Sequence, residues 1–216
     1  MKKAIVNVST ANGWYARGQQ RLIRSIQQFH DDIAIYAFLG ENKVNAPLHK
    51  HVPYAFKPFA LDYLRNKGYE LIIWLDASMF IVKSMNKIWN VIENKGYLME
   101  ESGHWLSQWC NDRALSNMNI TREQASKIPM YSAGLTGLNM QFESARLFLN
   151  EWLKFAKDGQ TFCGSHNDHR HDMSVASYLA DKYNFKFETG GTYLAYIGGG
   201  YSQPKESAII YLQGMA

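Results

Sequence analysis

The sequence predicts an α/β fold with a mixed, mainly parallel central sheet flanked by helices. Three observations predict it. Strand-like and helix-like segments alternate through the first two-thirds of the chain, the pattern of layered α/β architecture. Leu71-Ile72-Ile73-Trp74-Leu75 is an unbroken apolar run, as expected of a central strand buried on both faces. The 216 residues, 46% of them hydrophobic, suffice for one domain with a sizeable core.

The elements follow in order. Residues 4–10 read as the first strand and 11–18 as a Gly-containing loop, leading to a helix with Leu22, Ile23, Ile26 and Phe29 on its apolar face. Residues 33–39, bounded by Gly40, read as the second strand. Residues 58–66 read as a helix that stops at Gly68, and 70–75 as the central strand. Next comes a helix capped by Ser84, apolar at Ile88, Trp89, Val91 and Ile92, and ended by Gly96. Residues 97–99 read as a strand. Residues 100–130 are polar and aromatic without periodicity and read as an active-site insertion. Residues 135–140 read as a strand. Residues 144–157 form an amphipathic helix through Phe148, Leu149, Trp152, Phe155 and Ala156, with Gly159 past its end. A His-rich loop opens a last helix over 173–183. Residues 209–216 bring no cap or tail, which suggests a piece cut from a longer multidomain protein.

Composition narrows the function. No apolar run approaches the ~20 residues that span a bilayer. Met1-Lys2-Lys3 enters at once a short run, Ala4 to Val8, broken by Asn7, which suits a first strand better than a signal peptide. The expected location is cytoplasmic. Cys110 and Cys163 are far apart in polar contexts and read as free thiols of a reducing compartment. The net charge of +4 is spread along the chain. It suits a small anionic ligand and lacks the basic stripe of a nucleic-acid binder.

The chemistry centres on Asp76, which follows the apolar run. In open α/β sheets ligands bind beyond the carboxyl ends of strands, and Mg²⁺ or Mn²⁺ bridging a carboxylate to phosphate oxygens neutralises a nucleoside diphosphate. In an extended segment Asp76 and Ser78 point the same way and can approach one ion. On spacing alone, an aspartate that merely caps the turn is an equal reading. A haloacid-dehalogenase-type phosphatase needs a second Asp two residues on and a Thr beyond; Ser78 and Phe80 stand there. A nucleotidyltransferase needs a Gly- and Arg-rich phosphate loop, which Ala11-Asn12-Gly13-Trp14 matches poorly.

The surroundings of Asp76 resemble those of the GT-A glycosyltransferases, their viral capsid-glycan members included. Lys57-Pro58-Phe59-Ala60, Gly68-Tyr69 and Trp74-Leu75-Asp76-Ala77-Ser78 resemble the family's block of Lys, helix, strand and DxD-like turn. Tyr131-Ser132-Ala133-Gly134-Leu135 resembles its segment beside the donor sugar, and Arg170-His171-Asp172-Met173-Ser174 its "Asp-Gln-Ser" segment. The resemblance implies a GT-A (Rossmann-like) nucleotide-sugar-binding fold. It also implies transfer of a hexose or deoxyhexose, such as glucose or rhamnose, from a UDP-sugar to a hydroxyl of a glycan acceptor. Asp76 and Ser78 would hold Mn²⁺ or Mg²⁺. Thr10, Trp14, Tyr15 and Arg17 would meet the base and diphosphate, Lys57 the diphosphate, and Ala77, Ala133 and Gly134 the donor. Asp172 would orient or deprotonate the acceptor hydroxyl.

Two departures stand out: Ser78 replaces the second acid, and no histidine follows His171 to serve as a third metal ligand. The run His166-Asn167-Asp168-His169-Arg170-His171-Asp172 lacks the two-pair spacing of structural zinc and reads as a loop approaching the acceptor. Asp172 is also placed to be the N-cap of the helix that follows. Glu100-Glu101 reads either as an acceptor contact or base, or as a solvated turn. Gly190-Gly191 and Gly198-Gly199-Gly200, near Tyr193, Tyr196 and Tyr201, read as a flexible end region; the resemblance implies a segment that can close over the donor, and ordinary Gly-rich turns are the other reading. A nucleotide-sugar hydrolase and a non-catalytic binding module are the alternative functions.

Overall fold

The structure is a computed structural model that describes residues 1–10, 13–197 and 206–213. The expectations placed on Ala11, Asn12, Gly198–Gly200, Tyr201 and the last three residues therefore fall outside the described residues. In chain order, β1 (Lys3–Ser9) leads to α1 (Gly13–Gln27) and β2 (Ala34–Leu39). Then come α2 (Phe56–Asn66), β3 (Leu71–Leu75), β4 (Met79–Ile81), α3 (Asn86–Lys95) and β5 (Tyr97–Leu98). β6 (Glu101–Trp105), α4 (Asp112–Asn117), α5 (Arg122–Ala125) and β7 (Pro129–Tyr131) follow. The chain continues through β8 (Leu135–Asn139), α6 (Glu143–Asp158), α7 (Asp172–Lys182), β9 (Leu194–Ile197) and β10 (Ile210–Gln213).

The main sheet has the order β2-β1-β3-β8-β5. β1 pairs in parallel with β2 and β3, while β8 runs antiparallel to β3 and β5. The sheet is thus mixed, with β8 its reversed strand. β3 sits at its centre and is buried throughout, which is why that run carries no polar residue. Its side chains alternate between faces. Ile72 and Trp74 join the core with Leu61, Leu64, Phe148 and Leu179, whereas Leu71, Ile73 and Leu75 meet Leu22, Ile26, Ile88 and Trp89. Helices α3 and α6 stop at Gly96 and Gly159, both left-handed with φ 91° and 74°, a conformation glycine reaches without steric cost.

Several expectations are corrected. Residues 13–18 are not loop but the first turns of α1. Gly18 lies inside that helix because the helix touches the turn after β3: a Cβ there would fall 2.4 Å from the Ala77 carbonyl oxygen. Phe29 lies beyond α1 and is exposed. The α3 cap position belongs to Met85; Ser84 Oγ accepts from the Asn86 amide at 3.3 Å. The segment 100–130 is ordered around its own small core of Leu106, Ala114, Leu115, Met118 and Met130. Asn111 and Thr121 cap its two short helices. Residues 210–213 add β10 between β4 and β9 in a second sheet. Among the described residues no helix is long and apolar enough to cross a membrane.

Candidate functional site

Because β1 and β3 are parallel, Thr10 and Asp76 emerge at one edge of the sheet. Because β8 is antiparallel, its start reaches the same edge, and the Asp76 amide donates to the Gly134 carbonyl at 2.9 Å. The Met79 amide donates to the Asp76 carbonyl at 3.0 Å, so Asp76-Ala77-Ser78 is a turn, not the extended segment expected. Asp76 and Ser78 nevertheless line one cavity of about 130 Å³, with Thr10, Tyr15, Tyr54 and Ala77. A Cβ on Gly134 would lie 2.3 Å from Met79 Cε and 3.3 Å from Asp76 Oδ2, which explains a glycine at that position.

Behind Asp76 lies a buried charge cluster. Lys57, in the first turn of α2, places Nζ 3.1 Å from Asp76 Oδ1 and 2.9 Å from Asp172 Oδ2. The same ammonium donates to the Ala133 carbonyl at 3.0 Å. Trp74 Nε1 donates to Asp76 Oδ1 at 2.7 Å. The Asp76 side chain is 31% exposed, against 5% for Lys57 and Asp172; Asp76 is the most open member of the cluster. Burial alone would lower the Lys57 ammonium, but Asp172 and then Asp76 outweigh it, and its pKa is raised. Lys57 is a fixed positive charge. Burial pushes the Asp172 carboxyl up to about 6, against the opposing pull of Lys57. Asp172 is not the N-cap expected: His171, with φ 46°, holds that position, and Asp172 is the first residue of α7.

Asp76 Oδ1 is already engaged by Lys57 and Trp74, so the protein offers a metal one carboxylate oxygen, Oδ2, with the Ser78 hydroxyl in the same cavity. That donor set fits Mg²⁺ or Mn²⁺ held largely by phosphate oxygens and water, the usual habit of such ions. Among the described residues no three His, Cys, Asp or Glu side chains are grouped to hold an ion.

No protein-family model and no curated protein matches the chain. Solved structures do. Mouse xyloside xylosyltransferase 1 superposes with a TM-score of 0.59 at 10% identity, covering 99% of this chain and 98% of that one. A glycosyltransferase involved in glycosylation of the major capsid of PBCV-1 superposes with a TM-score of 0.60 at 13% identity, covering 98% and 93%. The chain has the GT-A glycosyltransferase fold. That fold brings Lys57, Asp76, Ala133-Gly134 and Asp172 to one place.

The GT-A fold does not gather every expected residue there. Tyr15 lines the Asp76 cavity, and Trp14 packs edge-on against it at 4.8 Å. Arg17 lines a separate groove with Arg21, Arg24 and Phe80. The reason is helical: two residues along α1 turn a side chain by ~200°. Arg21 instead clamps the Asp76 turn, donating to the Ser78 carbonyl at 2.8 Å.

Sequence reasoning missed His49, Tyr54 and Phe56, which complete the cavity wall. Tyr54 has φ 59°, a strained position for a bulky residue. Its amide donates to His49 Nδ1 at 3.0 Å, and its ring stacks on His171 at 5.5 Å. The only sequence signal was Pro53, which marks a turn without saying what the turn presents. In the His-rich loop, His169 Nε2 donates to the Thr161 carbonyl at 2.9 Å and His171 Nδ1 to the Phe162 carbonyl at 2.8 Å. Both rings pin the entrance of α7.

Proposed function

We propose that the chain is a metal-assisted glycosyltransferase, moving a hexose or deoxyhexose from a UDP-sugar to a hydroxyl of a glycan acceptor. The observation that carries this reading is the half-open carboxylate of Asp76 at the end of β3, backed by the buried Lys57–Asp172 pair. Tyr15 and Tyr54 line the cavity and would be the aromatic rings that stack on the base. Asp76 Oδ2 and Ser78 would hold Mn²⁺ or Mg²⁺, which when bound supplies Lewis-acid neutralisation of the diphosphate. Lys57 fixes Asp76 in orientation and adds positive charge beside the bond that breaks. Asp172, with a carboxyl near 6, is matched to orienting or deprotonating an acceptor hydroxyl at neutral pH.

The test is nucleotide release from a panel of UDP- and GDP-sugars with Mn²⁺, Mg²⁺ or a chelator. Release should favour UDP-sugars, need metal and an acceptor, and fall to background in Asp76→Asn, with Ser78→Ala losing less. Release at the same rate without any acceptor would instead mark a hydrolase. Tight UDP binding with no turnover on any donor would mark a binding module.

A further inference from the structure

The turn that brings Tyr54 to the Asp76 cavity hangs on one side chain. With φ 59°, a residue of that bulk keeps its conformation only where its surroundings hold it. The Tyr54 amide donates to His49 Nδ1 at 3.0 Å, and the Tyr54 carbonyl accepts from the Lys57 amide at 3.2 Å. The first bond anchors the turn. The second ties it to the start of α2, from which Lys57 reaches Asp76. The rings of His49 and Tyr54 also pack edge to face, 4.6 Å apart.

That first bond fixes the state of the imidazole. An amide N–H can meet only a ring nitrogen that carries a lone pair, so Nδ1 is bare and neutral His49 keeps its proton on Nε2. Protonation would set a second N–H against the Tyr54 amide and break the bond. Burial lowers the pKa of His49 from 6.5; Glu41, whose Oε1 accepts from the His49 amide at 3.1 Å, opposes this, and Lys57 of α2 adds to it. The chain neighbours Lys50 and His51 are exposed, and the Phe56 ring beside His49 carries no charge. From the entrance of α7, His171 stacks on Tyr54 at 5.5 Å, and its own protonation is disfavoured by His49. His171 Nδ1 donates to the Phe162 carbonyl in either charge state, so its titration leaves the Tyr54 amide untouched.

We propose that His49 is a positioning residue of the donor site: neutral, it holds Tyr54 against the base of a nucleoside diphosphate, and protonated, it lets Tyr54 go and weakens that binding. This role rests on the donor reading above and adds to it the group that sets its response to acid.

Two substitutions separate the hydrogen bond from the packing. His49→Asn puts an amide oxygen about where Nδ1 stands, an acceptor that does not titrate. His49→Phe keeps the ring and removes the acceptor. UDP affinity is measured by calorimetry with Mn²⁺ on the intact chain, from about pH 7.5 to about pH 5, across the range in which histidine changes charge. At the upper pH, His49→Asn should bind UDP within about threefold of the parent, and His49→Phe roughly fivefold more weakly, the size of one aromatic stack. As pH falls, the parent should lose roughly fivefold more affinity than His49→Asn, with a midpoint below 6.5. Asp172 and the UDP phosphates titrate in both proteins, so the difference between the two profiles belongs to His49. Nitrogen NMR of the imidazoles, assigned by the signal missing from His49→Asn, should show the Nε2–H tautomer at the upper pH. An Nδ1–H tautomer, His49→Phe binding as tightly as His49→Asn, or one pH profile shared by the parent and His49→Asn would each overturn the proposal. No UDP binding by the parent at any pH breaks the donor reading and this role with it, whereas UDP binding indifferent to His49 breaks only this role.

Discussion

Lys57 and Asp172 form a 2.9 Å ion pair from two different helices, with both side chains only 5% exposed. Removing one partner of a buried pair leaves an uncompensated charge, which typically costs about 3–5 kcal/mol. Here the two partners are not equivalent. Lys57→Met strands both Asp76 and Asp172, whereas Asp172→Asn leaves the ammonium on Asp76. Urea unfolding should therefore show the larger loss in Lys57→Met. The double variant Lys57→Met/Asp172→Leu should recover part of it. Equal losses in the two single variants would show that Asp76 does not share the charge.

The same cluster shapes the acid response. The Asp172 carboxyl rises from 3.8 to about 6 through burial. Between those values the native chain holds a proton that the unfolded chain has released, so ionisation of Asp172 subtracts stability as pH climbs from about 4 to about 6. Buried His169 acts in the opposite sense. Burial first, then His171, lowers it from 6.5 to about 4, so its contribution is whole above 6.5 and is lost as pH falls toward 4. Each effect is worth at most about 3 kcal/mol, taking 1.36 kcal/mol per unit. In Asp172→Asn the melting temperature should fall more steeply from pH 6 to pH 4 than in the parent, because the offset is gone. Parallel melting curves across that range would refute the assignment.

What the sequence showed of this site depended on how local each signal was. β3 was legible because a strand buried on both faces needs an unbroken apolar run. The glycine stops of α3 and α6 were legible because a left-handed terminus favours glycine. The Lys57–Asp172 pair was not, since it depends on α2 and α7 packing on the same side of the sheet, and no spacing encodes that. Segment 100–130 hid its helices because six and four residues are too few to display a 3.6-residue period. The pairs Asn111–Ala114 and Thr121–Gln124 were readable caps all the same.

Gly18 offers a test of the contact between α1 and the Asp76 turn. In an exposed helix, glycine to alanine stabilises by up to about 1 kcal/mol. At this position the new Cβ would meet the Ala77 carbonyl oxygen at 2.4 Å, a backbone atom that cannot swing aside. Overpacking of this kind costs about 1–3 kcal/mol. Gly18→Ala should thus lower the melting temperature and weaken UDP binding together, because the helix carries Tyr15 and the turn carries Asp76. A more stable Gly18→Ala variant would show that the helix does not pack on the turn.

The wall of the Asp76 cavity separates three residues that the sequence placed together. Tyr15 lies on it, Trp14 supports Tyr15 edge-on, and Arg17 faces the groove beside Phe80. Tyr54 lines the same cavity, held in a left-handed backbone by its amide bond to His49 and its stack on His171. An aromatic ring on a base contributes about 0.5–1.5 kcal/mol beyond its buried area. Tyr15→Ala and Tyr54→Ala should each weaken UDP binding in calorimetry by a few-fold to tenfold. Trp14→Ala should do so less, acting only through the ring it supports. Arg17→Ala should leave UDP affinity unchanged, since the helix points it away. A strong loss in Arg17→Ala with none in Tyr54→Ala would reverse the assignment, placing the diphosphate on the outer face of α1 and removing Tyr54 from the donor site.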